Sequence, residues 1–216
     1  MPLAQQIYRR RFADDRVFRD AMYKVLCQDL FQDFVRPSDK VLDLAAGFCE
    51  FINNIDASVK WAVDTNADVE RHATAGVKTL VASALDLRAV ANDYFDVVFT
   101  SNFLEHLSRD EIVASLHEVQ RVLRPGGRFI ILQPNYRYCY RDYWMFFDHI
   151  TPLDDRSLSE ILEVSGFEIE VRRPRLLPYT TKGWLPKSVL LLKLYLRFPL
   201  AQLLLGKQAF FVVRKR

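Results

Sequence analysis

Cysteine is scarce in this 216-residue chain: Cys27, Cys49 and Cys139 stand at unrelated spacings and form no CxxC pair. A disulfide scaffold or a cysteine-based zinc site needs paired spacing, so neither fits, and the histidines show no ligand spacing either. The expected metal complement is none. No Asn-x-Ser/Thr sequon occurs, in keeping with a reducing compartment. Only 7 glycines and 9 prolines are present, too few for a fibrous or low-complexity chain. GxGxxG is missing, which argues against a dinucleotide-pyrophosphate loop. A long uncharged run is missing too. The most apolar stretch, residues 185–205, is interrupted by Lys187, Lys193, Arg197 and Pro199, whereas a membrane-spanning helix needs ~20 nearly uncharged residues. Arginines at 9, 10, 11 and 16 stand where an export signal would be apolar, so the expected location is cytoplasmic.

What is there suits a folded core. Half of the residues are hydrophobic and 13% are aromatic, and the length fits one domain over residues 1–216. The net charge of +3 hides an asymmetry: 11 of the 30 basic residues and none of the 27 acidic ones fall in residues 171–216. An acidic body therefore carries a basic tail.

From Val41 onward, short β-rich runs alternate with helical stretches, the pattern of a parallel sheet wrapped by helices. Strands are expected at Val41–Leu44, Trp61–Val63, Val77–Val81, Phe95–Thr100, Arg128–Leu132, Phe167–Val171 and Ala209–Val213. Helices are expected at Glu50–Ile55, Ala67–Ala75, Arg109–Leu123 and Ser157–Val164. In the third of these, Ile112, Val113, Leu116, Val119 and Leu123 make an apolar stripe. Ser108 and Glu111 form a capping box at its start, and Pro125-Gly126-Gly127 marks a turn after its end. Residues 1–36 read as a helical extension that either covers the site as a lid or packs across the sheet edge. Residues 37–171 read as the core fold and residues 172–208 as a basic, leucine-rich insertion before a last strand at 209–214.

Two strand ends carry candidate ligand groups. Val41-Leu42-Asp43-Leu44-Ala45-Ala46-Gly47-Phe48-Cys49-Glu50-Phe51 is a strand, a small-residue loop and a helix start. Gly47 lets backbone approach a ligand there, and the amides at Cys49–Phe51 suit a polar group. About twenty residues on, Asp64 ends Trp61-Ala62-Val63-Asp64-Thr65-Asn66, where a carboxylate accepts both hydroxyls of a ribose.

With Phe95-Asp96-Val97-Val98-Phe99-Thr100-Ser101-Asn102-Phe103-Leu104-Glu105-His106 and Leu116–Arg128, these motifs resemble the class I S-adenosylmethionine-dependent methyltransferases, densely over residues 41–133. The resemblance implies an α/β, Rossmann-like, seven-stranded and mostly parallel sheet, with helices on both faces, an antiparallel last strand and an N-terminal helical lid. It implies S-adenosyl-L-methionine as cofactor, S-adenosyl-L-homocysteine as product and a small-molecule acceptor methylated on oxygen or nitrogen, a saccharide or a lipid-linked molecule among the candidates. It assigns cofactor contacts to Tyr8, Arg11, Asp43, Ala45, Gly47, Phe48, Asp64, Thr65, Ser83, Ala84, Leu85, Ser101, Asn102 and His106. The sequence departs from the pattern at Cys49, where a second glycine is usual, and at Ser83, where an acid is frequent. Cys49 is expected to pack without special backbone angles and Ser83 to bond an adenine nitrogen. A methyltransferase-fold binding protein without catalysis is the competing reading.

A hydroxyl acceptor calls for a general base, and histidine is the side chain poised for that near neutral pH. His149, in Phe146-Phe147-Asp148-His149, is the candidate, while His72 and His117 fit structural places and His106 the cofactor pocket. Residues 133–144, rich in tyrosine and arginine, form either an acceptor pocket or an aromatic loop packed on the core. Nucleic acid is not an expected partner, since Ser101-Asn102-Phe103 stands where a base-clamping Pro-Pro motif would be. On a helical wheel Lys187, Lys193 and Arg197 share one arc beside a broad leucine face, a pattern of interfacial helices. Peripheral contact with an anionic membrane is one reading, and packing on the core or a second subunit the other.

Overall fold

Every run expected as a strand pairs into one seven-stranded sheet in the computed structural model, which describes residues 6–7, 10–11, 15–179 and 187–216. The strands are β1 (Lys40–Leu44), β2 (Val59–Asp64), β3 (Val77–Val81), β4 (Phe95–Ser101), β5 (Leu123–Pro134), β6 (Phe167–Arg173) and β7 (Gln208–Lys215), in the order β3-β2-β1-β4-β5-β7-β6. Neighbours from β3 to β5 are parallel, and β7 runs antiparallel to both β5 and β6. The sheet is thus mostly parallel with a reversed last strand.

The helices are α1 (Arg16–Asp29), α2 (Glu50–Asn54), α3 (Val69–His72), α4 (Arg109–Val122), α5 (Tyr136–Cys139), α6 (Asp155–Val164), α7 (Val189–Arg197) and α8 (Pro199–Leu205). They cover both faces, because the buried strands are mostly apolar and send alternate side chains to opposite sides. Leu42, Val98, Phe129, Ile131, Phe211 and Val213 join one core with Ile112, Leu116 and Val119 of α4 and Leu158 and Leu162 of α6. Val41, Val97, Phe99, Ile130, Phe210 and Val212 join the other with Tyr23, Leu26 and Cys27 of α1 and Phe51 of α2. Phe51 stacks on Phe99 at 3.7 Å between centroids, and Phe31 lies 5.1 Å from Phe99. Each such side chain contributes ~1.5–3 kcal/mol by leaving water.

Four boundaries differ from expectation, each for a local reason. The helix expected over 67–75 is a single turn, α3, because Asn66 accepts the Asp68 amide at its start and Asn53 accepts the Thr74 amide and hydroxyl at its end. Pro125-Gly126-Gly127 is a bulge inside β5 rather than a turn before it: Leu123 already pairs with Phe95 and pairing resumes at Arg128 with Val97. A side chain at Gly127 would meet the carbonyl oxygens of Arg124 and Asp96 at 2.9 and 3.0 Å. α6 starts two residues early, since Asp154 caps the amides of Arg156 and Ser157 and the Ser157 hydroxyl accepts the Asp154 amide. The leucine-rich insertion is two helices. Pro199 forces Phe198 out of the helical region (φ −113°, ψ 93°) and starts α8.

Candidate active site

At the carboxyl ends of the parallel strands lies an open cleft of about 770 Å³. It straddles β1 and β4, where the strand order reverses and open α/β sheets bind ligands. One wall is the loop after β1, in which Ala45 (φ 60°), Gly47 (φ 55°) and Cys49 (φ 61°) are all left-handed. Alternate left-handed residues coil the chain tightly, which suits the small residues Ala45, Ala46 and Gly47. Cys49 thus corrects the expectation made for it: it takes the backbone conformation a glycine would favour, fully buried, with its thiol 3.7 Å from the Val69 carbonyl. Burial pushes that thiol far up from its ordinary value.

Gly47 donates its amide to Asp64 Oδ2 at 2.9 Å, and Asn66 donates to Oδ1 at 2.8 Å. The carboxylate is therefore held from both sides at the cleft edge. α2 offers no anion site, in contrast to expectation. It is five residues long, and Glu50 in its own first turn is paired with Arg19 at 2.7 Å.

Ala45, Gly47, Phe48, Asp64, Thr65, Ala84, Ser101, Asn102, His106, His149 and Arg11 all line the cleft. Three expected contacts stand elsewhere. Asp43 is buried beneath the loop, and burial together with the Glu50 charge raises its carboxyl well above the usual range. Ser83 turns its hydroxyl to the Leu85 amide at 3.1 Å, so Ala82 and Ala84 form the wall at the end of β3, while Ser83 and Leu85 fold into their own turn. Tyr8 lies outside the described residues. Tyr23, which the sequence did not single out, reaches across from α1 and donates its hydroxyl to Ser101 at 2.9 Å. Phe18, Arg19 and Met22 of α1 line the cleft beside it. His72, expected to be structural, sits at the rim with its ring 4.9 Å from Phe48.

The opposite wall gathers the histidines. The turn Leu104–His106 after β4 presents Glu105 and His106, and the amides of Ile150 and Thr151 both donate to the Glu105 carbonyl, at 2.8 and 3.1 Å. This pins the segment carrying His149 against Glu105. His149 is buried, its ring 5.1 Å from His106, 4.5 Å from Tyr143 and 5.2 Å from Phe146, and its Nδ1 has no hydrogen-bond partner. Burial, reinforced by the His106 charge, lowers its pKa to about 4, so the ring is neutral at pH 7. Glu105 is buried as well and its carboxyl is pushed up, chiefly by burial. Burial opposes charge on Asp148, but the Arg11 guanidinium and His106 hold it below the usual range. Arg11 pairs with Asp148 and lies 4.5 Å over the Phe146 ring.

The aromatic stretch after β5 takes the structural course for its larger part. Cys139, Tyr143 and Tyr179 form a small third core, with Tyr136 and Phe146 packed on it. Only Phe146 and Tyr179 of that group face the cleft.

Residues 38–131 match the model of a family described as a methyltransferase domain. A demethylmenaquinone methyltransferase of Mycobacterium marinum is 34% identical over 101 residues, 46% of this chain and 43% of the relative. One of Mycobacterium tuberculosis is 32% identical over a stretch of the same length. The chain thus spans under half the length of these curated relatives. Among solved structures, an S-adenosylmethionine-dependent methyltransferase of Archaeoglobus fulgidus superposes with a TM-score of 0.64 at 20% identity, covering 92% of this chain and 94% of that one. One of Mesorhizobium loti gives 0.63 at 15% identity, covering 87% and 96%. The [4+2]-cyclase SpnF gives 0.62 at 18% identity, covering 87% and 78%. That last likeness shows that the fold by itself does not fix the reaction. Residues 38–131 are thus similar to a methyltransferase domain, and the sheet in which they lie has the fold of the S-adenosylmethionine-dependent methyltransferases it superposes on.

Proposed function

We propose that this protein transfers a methyl group from S-adenosylmethionine to an oxygen or nitrogen of a small molecule with a long apolar part. The observation that carries the reading is one continuous cleft. It runs from Asp64 and the glycine loop, past His149, to Leu191 and Leu205 of α7 and α8.

The residues fit the cofactor. Asp64 keeps lone pairs for two ribose hydroxyls while Gly47 and Asn66 hold its orientation. The left-handed loop leaves room for a nucleoside against the backbone, and Ala82 and Ala84 leave a flat wall beyond it. When bound, S-adenosylmethionine supplies an activated methyl on a sulfonium. Everything else asked of the chain is alignment and exclusion of water. Tyr23, Phe18 and Met22 cover the cofactor side, and Phe146 and Tyr179 dry the acceptor side. His149 lines the acceptor side of the cleft and is the general base of this reading, a weak one because burial lowers its pKa to about 4.

At the rim, α7 and α8 set Leu192, Tyr195 and Leu196 against the second core but leave other leucines in solvent, with Leu200 and Leu204 both 74% exposed. Lys193 and Arg197 stand among them, in a region that contains no acidic residue. Leucine plus positive charge suits the surface of an anionic membrane from which an apolar acceptor is drawn. No helix among the described residues is long and apolar enough to cross one.

Calorimetric titration with S-adenosylmethionine and S-adenosylhomocysteine tests the cofactor half, with micromolar binding expected; absence of binding favours a scaffold protein instead. Transfer of labelled methyl to a prenylated hydroquinone, but not to its unprenylated parent, tests the acceptor half. Equal rates on both would remove the role given to the leucines.

A further inference from the structure

Glu105, His106 and His149 each contribute one possible ligand atom to a cluster, the three atoms lying within 4.8 Å of one another. Two come from the turn after β4 and the third from the segment after α5, so linear spacing gives no sign of the cluster.

Contacts behind each residue orient it. His106 Nδ1 lies 2.8 Å from the Asp148 carbonyl oxygen. A carbonyl only accepts, so Nδ1 carries the hydrogen and the ring's lone pair sits on Nε2, which lies 4.0 Å from Glu105 Oε1. Gln133 Nε2 donates to the other carboxylate oxygen, Oε2, at 2.9 Å. A backing carbonyl on the histidine and a backing amide on the carboxylate are the outer contacts that orient metal ligands in proteins. His149 Nδ1 is fully buried with no hydrogen-bond partner. A buried polar atom without a partner is costly, and a cation held in the cluster would satisfy it.

We propose that Glu105, His106 and His149 bind a divalent first-row transition cation, with two imidazole nitrogens and one carboxylate oxygen as ligands. Two imidazoles and a carboxylate favour manganese, iron, cobalt or zinc over magnesium or calcium, which prefer oxygen alone. Metal–ligand bonds of ~2.0–2.2 Å draw the three side chains slightly inward. Three protein ligands would leave positions open toward the cleft, where the cation would lower the pKa of a coordinated acceptor hydroxyl so that its proton passes to water in the open cleft. That role, though not the binding itself, rests on the methyl-transfer reading, and in it the cation takes over from His149 the task of ionising the acceptor.

Cobalt(II) titrated into tag-free, chelator-treated protein tests the binding without any turnover. The expected result is visible d–d absorption that saturates at one equivalent and is displaced by zinc. Glu105→Gln and His149→Ala are each expected to weaken cobalt at least ~100-fold. Two-dimensional imidazole nitrogen spectra of the unaltered protein give a readout that needs no variant: zinc should shift His106 Nε2 and His149 Nδ1 and leave His72 and His117 in place. A featureless cobalt spectrum, unchanged affinity in both variants, or shifts confined to His72 and His117 would overturn the proposal. Because S-adenosylmethionine binding is measured in the same chelated protein, failure of the metal site and failure of the methyl-transfer reading give separate results.

Discussion

The amide of Gly47 donates to the carboxylate of Asp64 at 2.9 Å, joining the loop after β1 to the end of β2. One residue thus shapes the backbone and the other both fastens it and faces the cleft. Asp64→Ala removes the fastening and the ribose acceptor together, and its expected cost in S-adenosylmethionine affinity is ~1–3 kcal/mol. Asp64→Asn keeps one acceptor oxygen and should fall between that variant and the unaltered protein. Calorimetry on both checks this, and unchanged affinity in Asp64→Ala would end the ribose assignment.

Cys49 is buried at φ 61°. A Cβ in the left-handed region costs ~1 kcal/mol that glycine does not incur. Cys49→Gly should therefore be at least as stable as Cys49→Ala, the reverse of their order in a helix interior. Urea unfolding midpoints of the two variants decide it, and a clearly more stable alanine variant would contradict the backbone argument.

Asp155 is buried, with Arg172 paired to it and the Asn135 amide donating to it at 2.9 Å. Burial raises its carboxyl, but these two partners outweigh burial and hold it below the usual range. A folded-state pKa below the unfolded one means that the stabilisation is complete above ~pH 4 and is lost as acid protonates the folded carboxylate. Asp155→Asn should cost ~2–4 kcal/mol at pH 7, leaving Arg172 unpaired. It should also flatten the loss of stability below pH 4. Unfolding curves at pH 7 and pH 3 for both proteins measure the difference.

Ser108 accepts the Glu111 amide, and the Glu111 carboxylate accepts the Ser108 amide at 2.8 Å. Ser108→Ala should lower stability by ~1 kcal/mol and the melting temperature by ~2–4 °C. Scanning calorimetry reads it directly.

This capping box was legible because both partners lie within four residues of one another. The strands were legible for a similar reason: Val41–Leu44 and Phe95–Thr100 are short, mostly apolar runs, broken only by Asp43, Asp96 and Thr100, as suits strands buried on both faces. Asp64 could be placed from its position after such a run. The approach of His106 to His149 could not, since it depends on two backbone bonds to the Glu105 carbonyl across long sequence separation. The turn at Ser83 was not legible either, since its hydroxyl accepts the Leu85 amide through a side-chain bond that strand patterning does not encode. Residues 67–75 looked helical by composition, yet Asn53 and Asn66 end the helix after one turn through side-chain bonds that periodicity does not encode.

The leucine-rich insertion leaves the sheet after β6 and returns as β7, between β5 and β6. Near its two ends, Arg175 donates to the carbonyls of Leu204 and Gly206 at 2.7 and 2.8 Å, and the Tyr195 hydroxyl donates to the Leu176 carbonyl at 2.6 Å. A segment tied at both roots behaves as a bracket and not as a leash. In the membrane-contact reading proposed above, the surface it rests on sets the compass heading of the whole sheet, so seating the bracket also aims the mouth of the cleft.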